Sequence, residues 1–283
     1  MPFGGFLRRR VRIPDAGWTA VLEAHPFLTW RSVQDLQALR GLCEDFLARK
    51  EFHGAHGLVV TDEMALAVAA QACLPILHLG IAAYDGFVGI VMHDGPVIAK
   101  REVVDENGLV HTYDEELVGE AVEGGPVMLS WHEGITGRGV TGLGAAGLGA
   151  AGQGTAGQNV TGQDVGADQA YNVVIHEFVH LLDLLDGQFD GTPPLPAARR
   201  QQWADVMQRA FDRFDERSAC GYASVVDDYG AQDIGEFFAV TAEAFFTMPI
   251  ALQDEMPEVY DLYVDFFIQD TAMGQRTHSK MAP

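Results

Sequence analysis

The sequence predicts an α+β domain in which a small mixed sheet precedes a group of helices. Three observations predict this fold class. Apolar residues recur at three- and four-residue steps both early and late in the chain. Short β-rich pieces bounded by Gly, Pro, Asp and Asn lie between Phe87 and Trp131. A Gly-rich stretch then separates these pieces from the later helices, so the two kinds of element are segregated along the chain.

Composition favours a single globular domain over residues 1–283. Hydrophobic residues make up 48% of the chain, which is enough for a sizeable buried core. The 18 Lys and Arg against 40 Asp and Glu give a formal net charge of −22, and this charge repels phosphate backbones and anionic lipid headgroups. We therefore expect no direct nucleic-acid binding and no binding to a membrane.

The cysteines and the amino terminus predict a cytoplasmic protein. Cys43, Cys73 and Cys220 show no metal-ligand spacing, and their odd number leaves no complete disulfide framework, so we expect reduced and mostly buried thiols. The basic residues near the start are followed at once by Pro14 and Asp15, so we expect no signal peptide. The longest apolar run is interrupted by polar and proline residues and is not expected to span a bilayer.

Residues 1–55 are predicted to form a helical extension at the amino terminus. Apolar residues between Trp30 and Lys50 repeat with helical spacing and indicate one buried helix face. A second, well-buried helix is predicted to begin after Thr61, because threonine suits the N-cap position and two acids follow it.

The β-rich pieces have the sequences FVGIVMH, GPVIA, GLVHTY and GPVMLSW. The last piece has two interpretations, an edge strand that pairs with an extended substrate and a purely structural strand. Residues 134–167 follow, and they contain many glycines and almost no large apolar side chains. Burial cannot offset the entropy of ordering such a segment, so we expect a flexible insertion.

Four helical segments are predicted after Tyr171, namely YNVVIHEFVHLLDLLDG, PAARRQQWADVMQRAFDRFDE, DIGEFFAVTAEAFF and Pro257–Asp270. The first contains an H-E-x-x-H sequence. On a helix His176 and His180 project from one face a turn apart, so both imidazoles can bind one metal ion, and zinc suits such ligands. Glu177 then lies where it can activate a zinc-bound water.

Several carboxylates are candidates to complete this site, and spacing alone does not choose among them. Asp186 lies ten residues after His176, but a third ligand at that position needs a glycine turn at the place of Asp183. Glu236 and Glu243 lie seven residues apart on one face of a later helix, from which one acid can reach the metal.

These acids also have other interpretations. Asp183 is a candidate to orient an imidazole without binding the metal itself, and the alternative is a solvated acid at the helix end. Glu236 is also placed to complete a capping box with Asp233 as the N-cap. Glu243 is either a carboxylate of the site or a buried acid that is hydrogen-bonded to a neighbouring helix.

Four segments together resemble the Mlc titration factor A (MtfA) family of bacterial zinc peptidases, namely GLVVTDEMALAVAAQACLPIL, GPVMLSW, HEFVHLLDLLDGQFDGTPPLP and YGAQDIGEFFAVTAEAFF. The resemblance runs from about Phe46 to Phe246. The H-E-F-x-H helix and the later Y-G-x-x-x-x-x-E-F-F segment are also similar to the catalytic core of anthrax lethal factor.

This resemblance implies a zincin-like domain with a gluzincin-type site. In such a site His176, His180 and Glu236 bind zinc. Glu177 is implied to be the base, and Tyr229, seven residues before Glu236, is implied to support the oxyanion. The alternative for Tyr229 is a loop aromatic that packs its ring and exposes its hydroxyl.

The resemblance also implies aminopeptidase-like hydrolysis of a peptide or protein substrate, and a transcriptional repressor such as Mlc as a partner. The alternative function is a regulatory protein that sequesters such a repressor, with zinc mainly structural. Glu177 favours the peptidase, because a purely structural metal site needs no general base.

Overall fold

The structure is a computed structural model that describes residues 11–95, 97–104, 110–117, 119–121, 124–131 and 170–281. The predicted flexible insertion at 134–167 lies outside these residues. The predicted division into a helical extension and a single domain therefore stays a prediction.

Three helices form the amino-terminal part of the described chain: α1 Asp15–Ala24, α2 Val33–Arg49 and α3 Asp62–Ala72. A short 3-10 helix, Pro26–Trp30, links α1 to α2. The predicted helix between Trp30 and Lys50 is confirmed as α2. Thr61 accepts a hydrogen bond from the backbone N–H of Met64 over 3.3 Å, so α3 begins where its N-cap indicates.

The described residues include six strands, as the α+β prediction requires: β1 Glu51–Gly54, β2 Gly89–Asp94, β3 Val97–Val104, β4 Val110–Leu117, β5 Gly119–Ala121 and β6 Val127–Trp131. A mixed four-stranded sheet has the order β1-β2-β6-β5, and β3 pairs with β4 as an antiparallel hairpin. Within the larger sheet β1 and β6 run parallel to β2, and β5 runs antiparallel to β6.

The interpretation of the GPVMLSW strand as a sheet edge is wrong. Met128 of β6 lies opposite Val91 of β2 on one side and opposite Glu120 of β5 on the other. Both edges of β6 are therefore paired at this register, and β5 is the outer strand among those that the structure describes.

The described residues from 170 to 281 form six helices: α4 Val173–Asp183, α5 Ala197–Ala219, α6 Ile234–Thr247, α7 Pro249–Glu255, α8 Pro257–Phe267 and α9 Thr271–Met281. Short 3-10 helices lie at Leu184–Asp186 and Asp228–Ala231. The four predicted segments correspond to α4, α5, α6 and α8. The sequence reading did not identify α1, α7 or α9.

Aromatic packing fixes α4 in the centre of the molecule. The ring of Phe178 lies 5.2 Å from that of Tyr84 and 5.7 Å from that of Phe46, measured between centroids. The Tyr84 hydroxyl donates to the carbonyl of Ala72 over 3.0 Å. These contacts join α2, α3 and α4 in one core, while α6 and β5 also pack on α4.

Cys43 and Cys73 are buried and Cys220 is exposed, and all three are free thiols. Within the described ranges, every helix is too short or too polar to cross a bilayer.

Candidate metal centre

The histidine pair is positioned by α4. Asn172 caps this helix, because its side chain accepts a hydrogen bond from the backbone N–H of Ile175 over 3.0 Å. Apolar residues cover most of the helix surface, so the His176 and His180 side chains are only 12% and 6% exposed. Their ring centroids lie 4.5 Å apart, as the one-turn spacing predicts.

Glu236 reaches the histidines from the first turn of α6. Asp233 is the N-cap of this helix and accepts hydrogen bonds from the N–H groups of Gly235 and Glu236 over 2.8 and 2.9 Å. The N-cap assignment of Asp233 is confirmed, but the Glu236 carboxylate points to the histidine pair and does not close a capping box.

Three donor atoms converge between the two helices. Nε2 of His176 and Nε2 of His180 are 2.9 Å apart, and Oε2 of Glu236 lies 3.0 Å and 3.4 Å from them. Three ligands held ~2.0–2.1 Å from a tetrahedral metal ion lie roughly 3.3 Å from one another. This Oε2 atom is buried and makes no well-aligned hydrogen bond within the described chain. The donor set therefore fits a divalent metal ion.

The charges of these groups favour a cation at their centre. Burial opposes protonation of His176, but contacts with Glu236 and Glu243 outweigh it and hold the imidazole pKa well above its usual range. Burial and the neighbouring His176 lower the pKa of His180. Burial also opposes ionisation of Glu236, but the two histidines outweigh it and hold its pKa well below the usual range. A divalent ion satisfies the ionised carboxylate and both ring nitrogens.

Glu243 contacts the His176 imidazole at Nδ1, the ring nitrogen that faces away from the cluster. Its Oε1 lies 2.8 Å from Nδ1 of His176, and its other oxygen accepts the backbone N–H of Asn172. The Asn172 side chain in turn donates to Oε1 of Gln71 on α3 over 2.8 Å. A buried chain of contacts thus directs Nε2 of His176 toward the cluster.

Comparison with known proteins agrees with this geometry. Residues 6–268 match the model of the glucose-regulated metallo-peptidase M90 family. The chain belongs to this M90 family. It is 30% identical over 256 residues to Mlc titration factor A of Pectobacterium atrosepticum, covering 89% of this chain and 86% of that protein. The Serratia proteamaculans protein of the same name is also 30% identical, over 258 residues, with 90% and 87% covered.

Membership of the M90 family, together with the cluster of His176, His180 and Glu236, makes this chain a metallopeptidase-like protein with a zincin-like fold. Within the described residues, these three form the one group of three or more His, Cys, Asp or Glu residues whose ligand atoms, one from each residue, all lie within 4.8 Å of one another.

Two other acids of the M90 chain lie elsewhere. Asp186 is exposed and accepts the backbone N–H of Gln188 over 3.2 Å, so it does not take part in the cluster. Asp183 is fully buried, and one of its oxygens accepts the N–H of Gly191 over 2.9 Å. Neither interpretation of Asp183 is correct, because it is not solvated and because Nδ1 of His180 has no hydrogen-bond partner among the described residues.

Glu177 lies between α4 and the outer strand β5. It is 5% exposed, and its carboxyl group faces the backbone of Gly119. A Cβ atom at Gly119 would lie 2.3 Å from Oε1 of Glu177, so a side chain at this position would displace the glutamate carboxylate. Sequence reasoning missed Gly119, since nothing local in the sequence links it to a residue 58 positions later.

Tyr229 lies on the 3-10 helix that precedes α6. Its ring centroid is 6.0 Å from that of His176, and its backbone N–H donates to Asp227 over 2.8 Å. The structure therefore brings Tyr229 beside the cluster, together with Glu177. Phe189 also lies there, with its ring 4.8 Å from that of His180, and sequence reasoning did not single it out.

Proposed function

We propose that this M90 protein is a zinc-dependent peptidase in which His176, His180 and Glu236 bind the ion. The observation that carries the proposal is the convergence of their three donor atoms at separations of 2.9, 3.0 and 3.4 Å. Two imidazole nitrogens and one carboxylate oxygen are the ligand set of catalytic zinc sites that keep one position open. Bound zinc supplies a Lewis acid that polarises a carbonyl group and acidifies water.

The remaining roles belong to side chains around this cluster. Glu177 takes the proton from the attacking water, because it directly follows the ligand His176 on α4 and its carboxyl group lies beside Gly119. Tyr229 donates its hydroxyl hydrogen to the oxyanion that develops on the substrate carbonyl. Glu243 keeps the His176 ring oriented through its contact with Nδ1.

The substrate in this proposal is a peptide or protein, and cleavage releases amino-terminal residues, as the family resemblance implies. A chain with a formal net charge of −22 favours a protein substrate over nucleic acid.

A second function has its own support. The relatives carry the name Mlc titration factor A, which names Mlc as what they titrate. In this alternative the chain sequesters a transcriptional repressor similar to Mlc, and the metal mainly stabilises the fold.

The Glu177→Gln variant separates the two functions, because it removes the base and leaves the three ligands in place. We expect it to retain one equivalent of zinc, measured by elemental analysis, and to lose peptide hydrolysis. The matched control is Glu63→Gln, an exposed glutamate at the start of α3, which should behave as the wild type.

Binding of a purified Mlc-type repressor is measured on the same proteins. If an inactive Glu177→Gln binds the repressor as the wild type does and still exerts the cellular effect, that effect is assigned to sequestration. Full hydrolysis by Glu177→Gln would refute the proposed mechanism, and absence of zinc from the wild type would refute the site.

A further inference from the structure

We propose that Phe189 forms one wall of an apolar subsite that receives a bulky apolar side chain next to the scissile bond. Peptides with Leu or Phe at that position are then the preferred substrates. This inference rests on the proposed peptidase function and adds the substrate class to it.

The Phe189 ring lies between the two helices that carry the metal ligands. On one side its centroid is 4.8 Å from that of the His180 ring, with 44° between the planes. One edge of the ring covers Gly235, the residue before Glu236, so closely that a Cβ atom there would lie 2.4 Å from Cε1 of Phe189. A group that touches the exposed part of this ring is therefore close to His180 and to the residue before Glu236.

The ring is apolar surface that the fold leaves open. Phe189 is 42% exposed although it lies beside a largely buried site, and Leu185, four residues earlier, is 45% exposed. Exposed aromatic and aliphatic side chains next to a polar centre are typical of ligand pockets, where apolar walls surround a few polar groups. Phe189 thus offers apolar surface beside the cluster.

The segment that carries Phe189 is held in place by buried contacts. The Asp183 carboxylate accepts the N–H of Gly191 over 2.9 Å, and the indole N–H of Trp203 donates to the Gly191 carbonyl over 2.8 Å. Gly191 has φ +69°, and a Cβ atom there would lie 2.6 Å from the carbonyl oxygen of Ile234. These contacts hold the segment in place, so the Phe189 ring is preorganised for a substrate. They also explain why Asp183 is buried, because its carboxylate binds the backbone of that segment.

The geometry of an extended peptide brings a side chain to this wall. Successive residues of an extended chain rise about 3.3 Å each, so a peptide whose carbonyl group faces the cluster places its flanking side chains within a few ångströms of it. The Phe189 ring, which packs at a tilt against the ligand His180, lies within that reach. It gains contact with a Leu or Phe side chain and very little with Ala.

The test uses the zinc-loaded protein and two pairs of peptides. Each pair differs only by Leu or Ala at one of the two residues that flank the scissile bond. We expect the wild type to prefer Leu in one pair by about tenfold in kcat/KM, the range typical of added apolar contact in a pocket. Phe189→Ala should bring this ratio close to one, with unchanged zinc content.

Two further variants test the position of the ring. Gly235→Ala adds a Cβ atom where the ring now lies, so it should displace the ring and lower the same ratio. Phe189→Leu keeps an apolar wall and should retain most of the preference. Met273→Ala removes a 61% exposed apolar side chain from α9 and is the matched control with the wild-type ratio.

Leucine and alanine hydroxamates provide a readout that needs no turnover. Tighter binding of the leucine compound by the wild type, lost in Phe189→Ala, supports the subsite even if no peptide is cleaved, and in that case only the peptidase proposal fails. Equal binding of both compounds, or an equal loss for both in Phe189→Ala, would overturn the subsite.

Discussion

Oε1 of Glu243 lies 2.8 Å from Nδ1 of His176, while Oε2 of Glu236 lies 3.0 Å from Nε2 of the same ring. The two glutamates of α6 therefore contact opposite nitrogens of one imidazole. In the proposed site Glu236 is a ligand and Glu243 fixes the direction of the ligand His176, because a ring held at Nδ1 must present Nε2 to the ion.

The Glu243→Gln variant tests this arrangement. A glutamine has one acceptor oxygen, so it cannot satisfy both the N–H of Asn172 and Nδ1 of His176, which the carboxylate now contacts. We expect zinc affinity, measured by competition with a chelator, to fall about 10–100-fold. Glu63→Gln is the control, and wild-type affinity in Glu243→Gln would assign the contact a purely structural role.

These two glutamates also show where the sequence is informative. The histidine spacing is local, so His176 and His180 could be paired from the sequence. Glu236 and Glu243 lie two turns apart on one helix face, and both contact the same ring in the structure. Helical periodicity cannot distinguish them, and the family resemblance was needed to favour Glu236.

The parts that sequence reasoning missed depend on long-range contacts. Asp183 has the right spacing to face the site, but Gly187 at φ 81° reverses the chain, and the returning loop takes up its carboxylate. Gly119 contacts Glu177 only because β5 lies at the outer position of the sheet beside α4. Neither relationship has a local signature in the sequence.

Gly119→Ala should impair catalysis and leave the metal in place. Its Cβ atom would lie 2.3 Å from Oε1 and 2.6 Å from Cγ of Glu177, so the flexible glutamate side chain must move away. A displaced base should lower kcat by about 10²-fold or more. Zinc content and kcat are measured together.

Gly89→Ala is the control for this variant in the same sheet, because its Cβ atom would meet Pro126 at 3.4 Å, an ordinary contact. Wild-type kcat in Gly119→Ala would show that the position of Glu177 does not depend on this close approach.

Tyr229→Phe tests the proposed oxyanion donor. Removing one such donor typically costs about 10²–10³ in kcat, whereas the ring beside His176 is kept. We expect a folded, metal-loaded and slow variant in steady-state kinetics. Tyr222→Phe, at a 64% exposed tyrosine, is the control. Normal turnover by Tyr229→Phe would remove its hydroxyl from the mechanism.

His25 is expected to make the fold sensitive to acid. It is 4% exposed, and burial lowers the pKa of its imidazole from 6.5 to about 4. Between these values the unfolded chain binds a proton that the folded protein does not. The free energy of unfolding therefore falls as pH drops from 6.5 to 4, by up to about 3 kcal/mol.

Urea unfolding of the wild type and of His25→Phe at pH 7 and pH 4 checks this contribution. The variant should lose less stability between the two pH values. His53→Phe, at a histidine whose side chain is 61% exposed, should follow the wild type. An equal loss of stability in all three proteins would contradict the assignment.

The zinc content of two variants tests the central claim most directly. We predict that Glu236→Ala loses the ion, because it removes the carboxylate 3.0 Å from His176, and that Asp186→Ala keeps one equivalent, because Asp186 is exposed and faces Gln188. Both proteins are purified in parallel with the wild type and measured by elemental analysis. Zinc retained in Glu236→Ala, or lost in Asp186→Ala, would contradict the metal centre described above.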